Sequence, residues 1–144
     1  MHQNVAIIIH DTLDPYLPLH RDMWQDIAAA FNVPHIYKAD GEPQKGFVVY
    51  NSDHKFPGKK VCLMTPAEAD KAGVKAIELT QYEHPEECTY IFGPDNTIKG
   101  WQKKIDGEDM DYVYISTPSP TELHSFTAAS YVLWDRWRKL NGDN

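Results

Sequence analysis

The chain has 144 residues, 42% hydrophobic and 24% charged, with a formal charge of −7, the size of one ordinary domain and too short for two. The acidic balance counts against a broad electrostatic RNA-binding surface, because such surfaces draw affinity from Lys and Arg replacing counterions at phosphates; any nucleic-acid contact would need a local patch. No apolar run approaches the roughly 18 residues of a membrane span, the start Met1-His2-Gln3-Asn4 lacks signal-peptide character, and Cys62 and Cys88 stand alone, without disulfide or metal-knuckle spacing. A single cytoplasmic domain with reduced, packed thiols is expected.

Val5-Ala6-Ile7-Ile8-Ile9 is a β-branched run suited to a strand buried on both faces of a parallel sheet. After the breakers Asp14-Pro15 and Leu17-Pro18, residues 19 to 31 predict a helix whose apolar positions Met23, Ile27, Ala30 and Phe31 repeat at helical spacing. Val33 to Tyr37, Phe47 to Tyr50 and Val61 to Met64 follow as strand candidates. Thr65-Pro66-Ala67-Glu68 predicts a helix start, with Thr as N-cap, Pro at the first helical position and Glu closing a capping box; Gly73 would end that helix. Val74 to Leu79, Thr89 to Phe92 and Tyr112 to Ile115 are the remaining strands.

Ser119-Pro120-Thr121-Glu122 repeats the capping pattern before a helix over 120 to 140. Leu123, Phe126, Ser130, Leu133, Trp137 and Leu140 share a stripe, and Tyr131, Val132 and Trp134 widen it beyond one sheet face, a surplus that a partner subunit or the chain's own core could take up. Strands alternating with helices predict an α/β fold, a mostly parallel sheet with helices on both faces. Ligands on such sheets bind beyond the carboxyl ends of strands, here the loops after residues 10, 64, 92 and 115.

Nucleotide and hydrolase fingerprints (Gly-x-Gly-x-x-Gly, the Walker loop, Gly-x-Ser-x-Gly) do not occur. The seven histidines show no metal-ligand spacing, so no metal site is expected, and His84-Pro85-Glu86-Glu87 reads as a turn before a strand. Basic clusters at Lys55, Lys59 and Lys60, at Lys99, Lys103 and Lys104, and at Arg136, Arg138 and Lys139 are either RNA patches or ordinary solvated side chains.

Three segments resemble the TrmH (SpoU) branch of the SPOUT RNA methyltransferases. Tyr90-Ile91-Phe92-Gly93-Pro94-Asp95-Asn96 resembles its strand-and-Gly loop. Tyr114-Ile115-Ser116-Thr117 leading into Glu122-Leu123-His124-Ser125-Phe126-Thr127-Ala128-Ala129 resembles its last motif. Ile7 to Asp14-Pro15, with the helix ending Ala29-Ala30-Phe31-Asn32-Val33, resembles its first. The resemblance implies a trefoil-knotted α/β domain over residues 1 to 144 and S-adenosylmethionine as cofactor. It implies a pocket from Met64, Thr65, Gly93, Pro94, Asp95, Ile115, Thr117 and Leu123. It further implies a homodimer through the C-terminal helix, and methyl transfer to RNA, with a ribose 2′-oxygen of tRNA as the expected acceptor.

Two departures bear on catalysis. Where the family's first motif carries Asn and Arg, counting reaches Leu17, Met23 or Asp26; Arg21 lies nearby, and His20 is an alternative base because imidazole titrates near neutrality. Glu122 and His124 stand where Ser and Asn are usual; Glu122 also fits a capping box, and His124 either contacts ligand or is satisfied by backbone. The candidate catalytic set is Arg21, His20 and His124. The alternatives are a SPOUT-like dimer that binds RNA or cofactor without transfer, and an unrelated α/β small-molecule enzyme.

Overall fold

The computed structural model describes residues 5–9, 18–38, 46–49, 56–92, 110–119, 123 and 125–141. Seven strands, β1 (Val5–Ile9), β2 (His35–Lys38), β3 (Val48–Val49), β4 (Lys59–Leu63), β5 (Ile77–Glu78), β6 (Cys88–Phe92) and β7 (Met110–Tyr114), form one sheet in the order β3-β2-β1-β6-β4-β7-β5. Every pairing is parallel. All strands therefore end at one edge. The helices are α1 (Pro18–Ala30), α2 (Pro66–Ala72) and α3 (Ser125–Leu140), and no helix among the described residues is long and apolar enough to cross a membrane.

The central strands β1 and β6 are buried at every position, as expected for a parallel sheet covered on both faces. One face carries Val5, Ile7, Ile9, Tyr90 and Phe92 packed under Trp24 and Ala28 of α1 and Ala129, Val132 and Leu133 of α3. The other carries Ala6, Ile8, Tyr37, Cys62 and Ile91 with Met64 and Ala69 of the α2 region. Cys62 and Cys88 are both buried and unbridged.

The α2 capping reading holds in detail: Glu68 N donates to Thr65 Oγ1 (3.2 Å), Thr65 N donates to Glu68 Oε1 (3.0 Å), and Gly73 closes the helix at φ 71°. The helix stripes differ from expectation. In α1, Trp24 and Ala28 are the buried positions, while Ala30 is exposed; the largest side chain, not Met23, sets the helix rotation. In α3 the buried line runs through Ser125, Ala128, Ala129, Val132, Leu133 and Arg136, while Trp137 is half exposed. Small residues let that helix approach the sheet, and the bulky aromatics stay outside. Positions 120–122 and 124, including the second capping box, lie outside the described residues. The strand predicted over 74 to 79 is shorter, Ile77–Glu78, and passes into a 3-10 turn at Leu79–Gln81.

Gly58 marks a close crossing just before β4. Its φ is +61°, and a Cβ there would lie 2.0 Å from the Glu87 carbonyl oxygen. The same carbonyl accepts from Lys59 N (3.2 Å), and Pro57 O accepts from Thr89 Oγ1 (2.9 Å), so neither strand can retreat without losing hydrogen bonds. Gly58→Ala is expected to destabilise the protein by about 2 kcal/mol or more through the left-handed backbone and the backbone clash together. Urea unfolding measures this; an unchanged midpoint would mean that the crossing is not tight.

Candidate active site

The sheet order brings three of the ligand loops together. β6, β4 and β7 are neighbours, with Cys62 registered to Ile91 and Leu63 to Val113, so the segments after Leu63, Phe92 and Tyr114 leave the sheet side by side. Met64 is buried, its N–H donating to Val113 O at 2.9 Å, and Ile115 packs against the α1 and α3 core. These two give the region an apolar floor. The Thr65 N–H donates within the α2 cap and its hydroxyl oxygen accepts there, which leaves the O–H to donate. Thr117 is exposed and its hydroxyl donates to Ser119 O (2.7 Å), and Leu123 is exposed. Gly93, Pro94 and Asp95 lie outside the described residues, as do Asp14 and His124.

A switch point lies next to these loops. From β1 the chain passes through α1 to β2 on one side, whereas β6 is followed in sequence by β7 on the other. Ile9 and Phe92, the last residues of the two strands, are registered to each other, and crevices at such reversals are where open α/β sheets take ligands. α1 starts at this edge. His20 falls in its first turn, with a side chain outside the described part. Arg21 is half-buried, and its Nε has no acceptor. Met23 and Asp26, where a family-like Arg would be counted, are half-buried and exposed.

Sequence reasoning missed a buried polar network at the opposite edge. His84, read above as part of a turn, is buried: its Nδ1 lies 2.6 Å from Tyr90 Oη and its Nε2 lies 2.7 Å from Asp135 Oδ2. Lys139 donates to the same carboxylate (2.8 Å) and to the carbonyls of Leu79 and Tyr82 (2.9 Å each). Arg136 donates to Pro85 O, to Glu86 O (2.7 Å) and to Tyr90 Oη (3.4 Å). Burial lowers the His84 pKa, outweighing the pull of Asp135, and the Lys139 and Arg136 cations lower it further. With His84 neutral the protons assign consistently: Arg136 donates to Tyr90, Tyr90 O–H to Nδ1, and Nε2–H to Asp135.

Arg136 and Lys139 therefore do not form the solvated basic patch that their spacing suggests. A shallow depression of about 350 Å³ lined by Thr80, Gln81, Tyr82, Glu83, His84, Lys139 and Leu140 opens here. The groups at its base already have partners, so the network fastens α3 to β6. Nearby, Tyr82 Oη donates to Asp111 Oδ2 (2.6 Å), and burial followed by this bond raises the phenol's pKa. Lys59 lies 3.6 Å from Asp111.

No protein-family model and no curated protein matches the chain by sequence. Solved structures do match in fold. One, of a protein studied for the 2-OH methylation of C/U34 on tRNA, aligns with 98% of this chain and 99% of its own at TM-score 0.68 and 12% identity. An AdoMet-bound rRNA methyltransferase from Sinorhizobium meliloti aligns with 94% of this chain at TM-score 0.70 and 10% identity. The chain spans only 56% of that protein. The A. aeolicus TrmH/SpoU tRNA modifying enzyme aligns with 99% of this chain and 79% of its own at TM-score 0.65 and 12% identity. The chain shares the fold of these structures.

Proposed function

We propose that the protein is an S-adenosylmethionine-dependent RNA methyltransferase that modifies a ribose 2′-oxygen of tRNA, acting in the cytoplasm as a single-domain homodimer. The observation that carries this reading is the adjacency of β6, β4 and β7, which aligns the three loops of the resemblance at one sheet edge beside the switch point. In this reading the chain around those strands is threaded as a trefoil knot. Met64 and Ile115 supply apolar surface against the cofactor, joined by Leu123. Gly93 lets backbone approach it without a Cβ in the way, and Pro94, Asp95 and Thr117 complete the loops. Thr65 can offer its O–H, since its N–H and one hydroxyl lone pair serve the helix cap.

When bound, S-adenosylmethionine supplies an electrophilic methyl group. The chain's own part is to hold the acceptor oxygen in line and to manage its proton. Arg21, with a buried N–H lacking an acceptor, stabilises the developing alkoxide, and His20 accepts the proton. His124, at the start of the α3 segment, is the remaining candidate contact. A second reading, a dimer that binds cofactor or RNA without transfer, is favoured by Met23 and Asp26 standing where the family carries its Arg. An unrelated α/β small-molecule enzyme has no observation in its favour once the fold is in view.

Isothermal titration with S-adenosylmethionine tests the cofactor assignment. One saturable site per chain is expected, and no binding at millimolar cofactor would overturn it. Arg21→Ala is expected to slow methyl transfer at least about tenfold, equivalent to about 1.4 kcal/mol, with cofactor affinity unchanged. Full activity in both Arg21→Ala and His20→Ala would remove these residues from the mechanism.

A further inference from the structure

Away from its exposed aromatic rings, α3 is fastened by charges that are unevenly matched. Asp135 is buried, and its Oδ2 receives both His84 Nε2–H at 2.7 Å and the Lys139 ammonium at 2.8 Å. Arg136, also buried, lies over the Tyr90 ring beside them. With a neutral imidazole the cluster holds two cations and one carboxylate. The His84 side chain is 0% exposed, so a proton on it would set a third cation around the same single anion with the ring shut off from water.

Hydrogen-bond geometry sets the same limit. Tyr90 O–H fills the Nδ1 lone pair at 2.6 Å, while the phenol oxygen accepts from Arg136 at 3.4 Å. A protonated Nδ1 would have to donate to that oxygen instead, displacing the phenol hydrogen toward the Cys88 sulfur, a weak acceptor. Tyr82 packs edge-to-face on the imidazole, 5.1 Å between centroids, and its hydroxyl is committed to Asp111 of β7. Glu83, Glu86 and Glu87 of the same turn are exposed. Asp135 is thus the anion on which a charged His84 would depend, and Lys139 already draws on it.

The helix held by this network is the one that presents Tyr131, Trp134 and Trp137, each about half exposed. Trp134 and Trp137 directly flank Asp135 and Arg136 in sequence, so the helix rotation that buries the two charged residues also exposes the two rings. An aromatic face binds well only while its rings are already held in place, because ordering them on contact costs affinity. We propose that His84 is a proton-operated latch on α3: neutral, it holds the aromatic face ready for a second copy of this chain, and protonated, it loosens the helix so that the copies part. The occupant of that face rests on the homodimer reading.

Light scattering over a concentration series gives the dimer dissociation constant at about pH 7.5 and at about pH 5.5, the lower value still above the ordinary carboxylate range. For the wild type the constant should rise at least about tenfold, because an imidazole freed to titrate near its ordinary value takes up a proton over this interval and so favours the parted state. The amide of His84→Gln can accept from Tyr90 and donate to Asp135 but takes no proton, so its constant should change less than about twofold. Lys139→Gln removes one of the two competing cations and lets Asp135 hold a charged His84 in place, so the acid-induced rise should shrink. A merely structural lysine would instead weaken the dimer equally at both pH values. If His84→Gln does not fold, the Lys139→Gln ratio decides. A wild-type constant that holds steady, or a folded variant of either kind that rises as the wild type does, would overturn the latch and leave the homodimer reading standing. A wild-type monomer at pH 7.5 and micromolar concentration would end both.

Discussion

Asp135→Ala is expected to destabilise the protein by about 3–5 kcal/mol, the usual cost of removing one partner from a buried charge pair. The substitution leaves His84 Nε2–H without its acceptor and the Lys139 ammonium facing only carbonyls. Arg136 keeps its bonds to the Pro85 and Glu86 carbonyls and to Tyr90, so the loss falls on His84 and Lys139. Because Asp135 and Tyr90 are joined through His84, α3 should loosen from β6, and hydrogen exchange should quicken in both elements before the rest of the sheet. Denaturant unfolding gives the magnitude; a loss under about 1 kcal/mol would show that the network does not hold α3.

The same network fixes a pH dependence. His84 is held below its ordinary value of 6.5 in the folded chain, so the unfolded chain binds the extra proton first as pH falls. Stability contributed by the neutral imidazole is complete above about pH 6.5 and declines as pH drops toward the folded value. Asp135, Lys139 and Arg136 from α3, Tyr90 from β6 and the edge-on ring of Tyr82 face or surround this ring. A His84→Gln variant should lose this part of the acid sensitivity while remaining less stable than the wild type at neutral pH.

Trp134→Glu is expected to convert a homodimer to monomers with the fold intact. Tyr131, Trp134 and Trp137, three residues apart on one α3 face, are each about half exposed, Leu123 is exposed nearby, and the Arg138 guanidinium lies 4.7 Å from the Trp134 ring. Aromatic side chains clustered with an Arg are the usual composition of an interface centre. A carboxylate in place of the indole removes the aromatic centre and, even paired with Arg138 four residues on, has to be desolvated there, so association should weaken by several kcal/mol. Light scattering should give twice the chain mass for the wild type and the single mass for the variant. A wild-type monomer at micromolar concentration would remove the dimer, and an unfolded variant would assign Trp134 to the chain's own core.

What the sequence made legible was local or periodic. The run Val5 to Ile9 identified the central strand, and Thr65, Pro66, Glu68 and Gly73 identified both ends of α2, because capping is decided within one turn. The α1 and α3 stripes were displaced because periodicity counts apolar residues without weighing volume: Trp24 commands the packing of α1, and Ala128 and Ala129 are buried because they are small. His84, Asp135 and Arg136 had no local signal. Their partners lie about fifty residues away, and the spacing of Arg136, Arg138 and Lys139 looks the same whether the guanidinium is solvated or locked to carbonyls. The ends of β4, β6 and β7 were located to within a residue, while the placing of β1 beside β6 depended on the sheet order, which sequence spacing does not encode.

Methyl transfer to RNA is read by incubating the purified protein with unfractionated tRNA and S-adenosylmethionine carrying a labelled methyl group, followed by nuclease digestion and separation of the nucleosides. We expect label in a 2′-O-methylated nucleoside, in an amount that rises with time and falls at least about tenfold in Arg21→Ala. Bound cofactor with no label in any nucleoside of tRNA or rRNA would contradict methyl transfer and leave a binding protein built on the same fold.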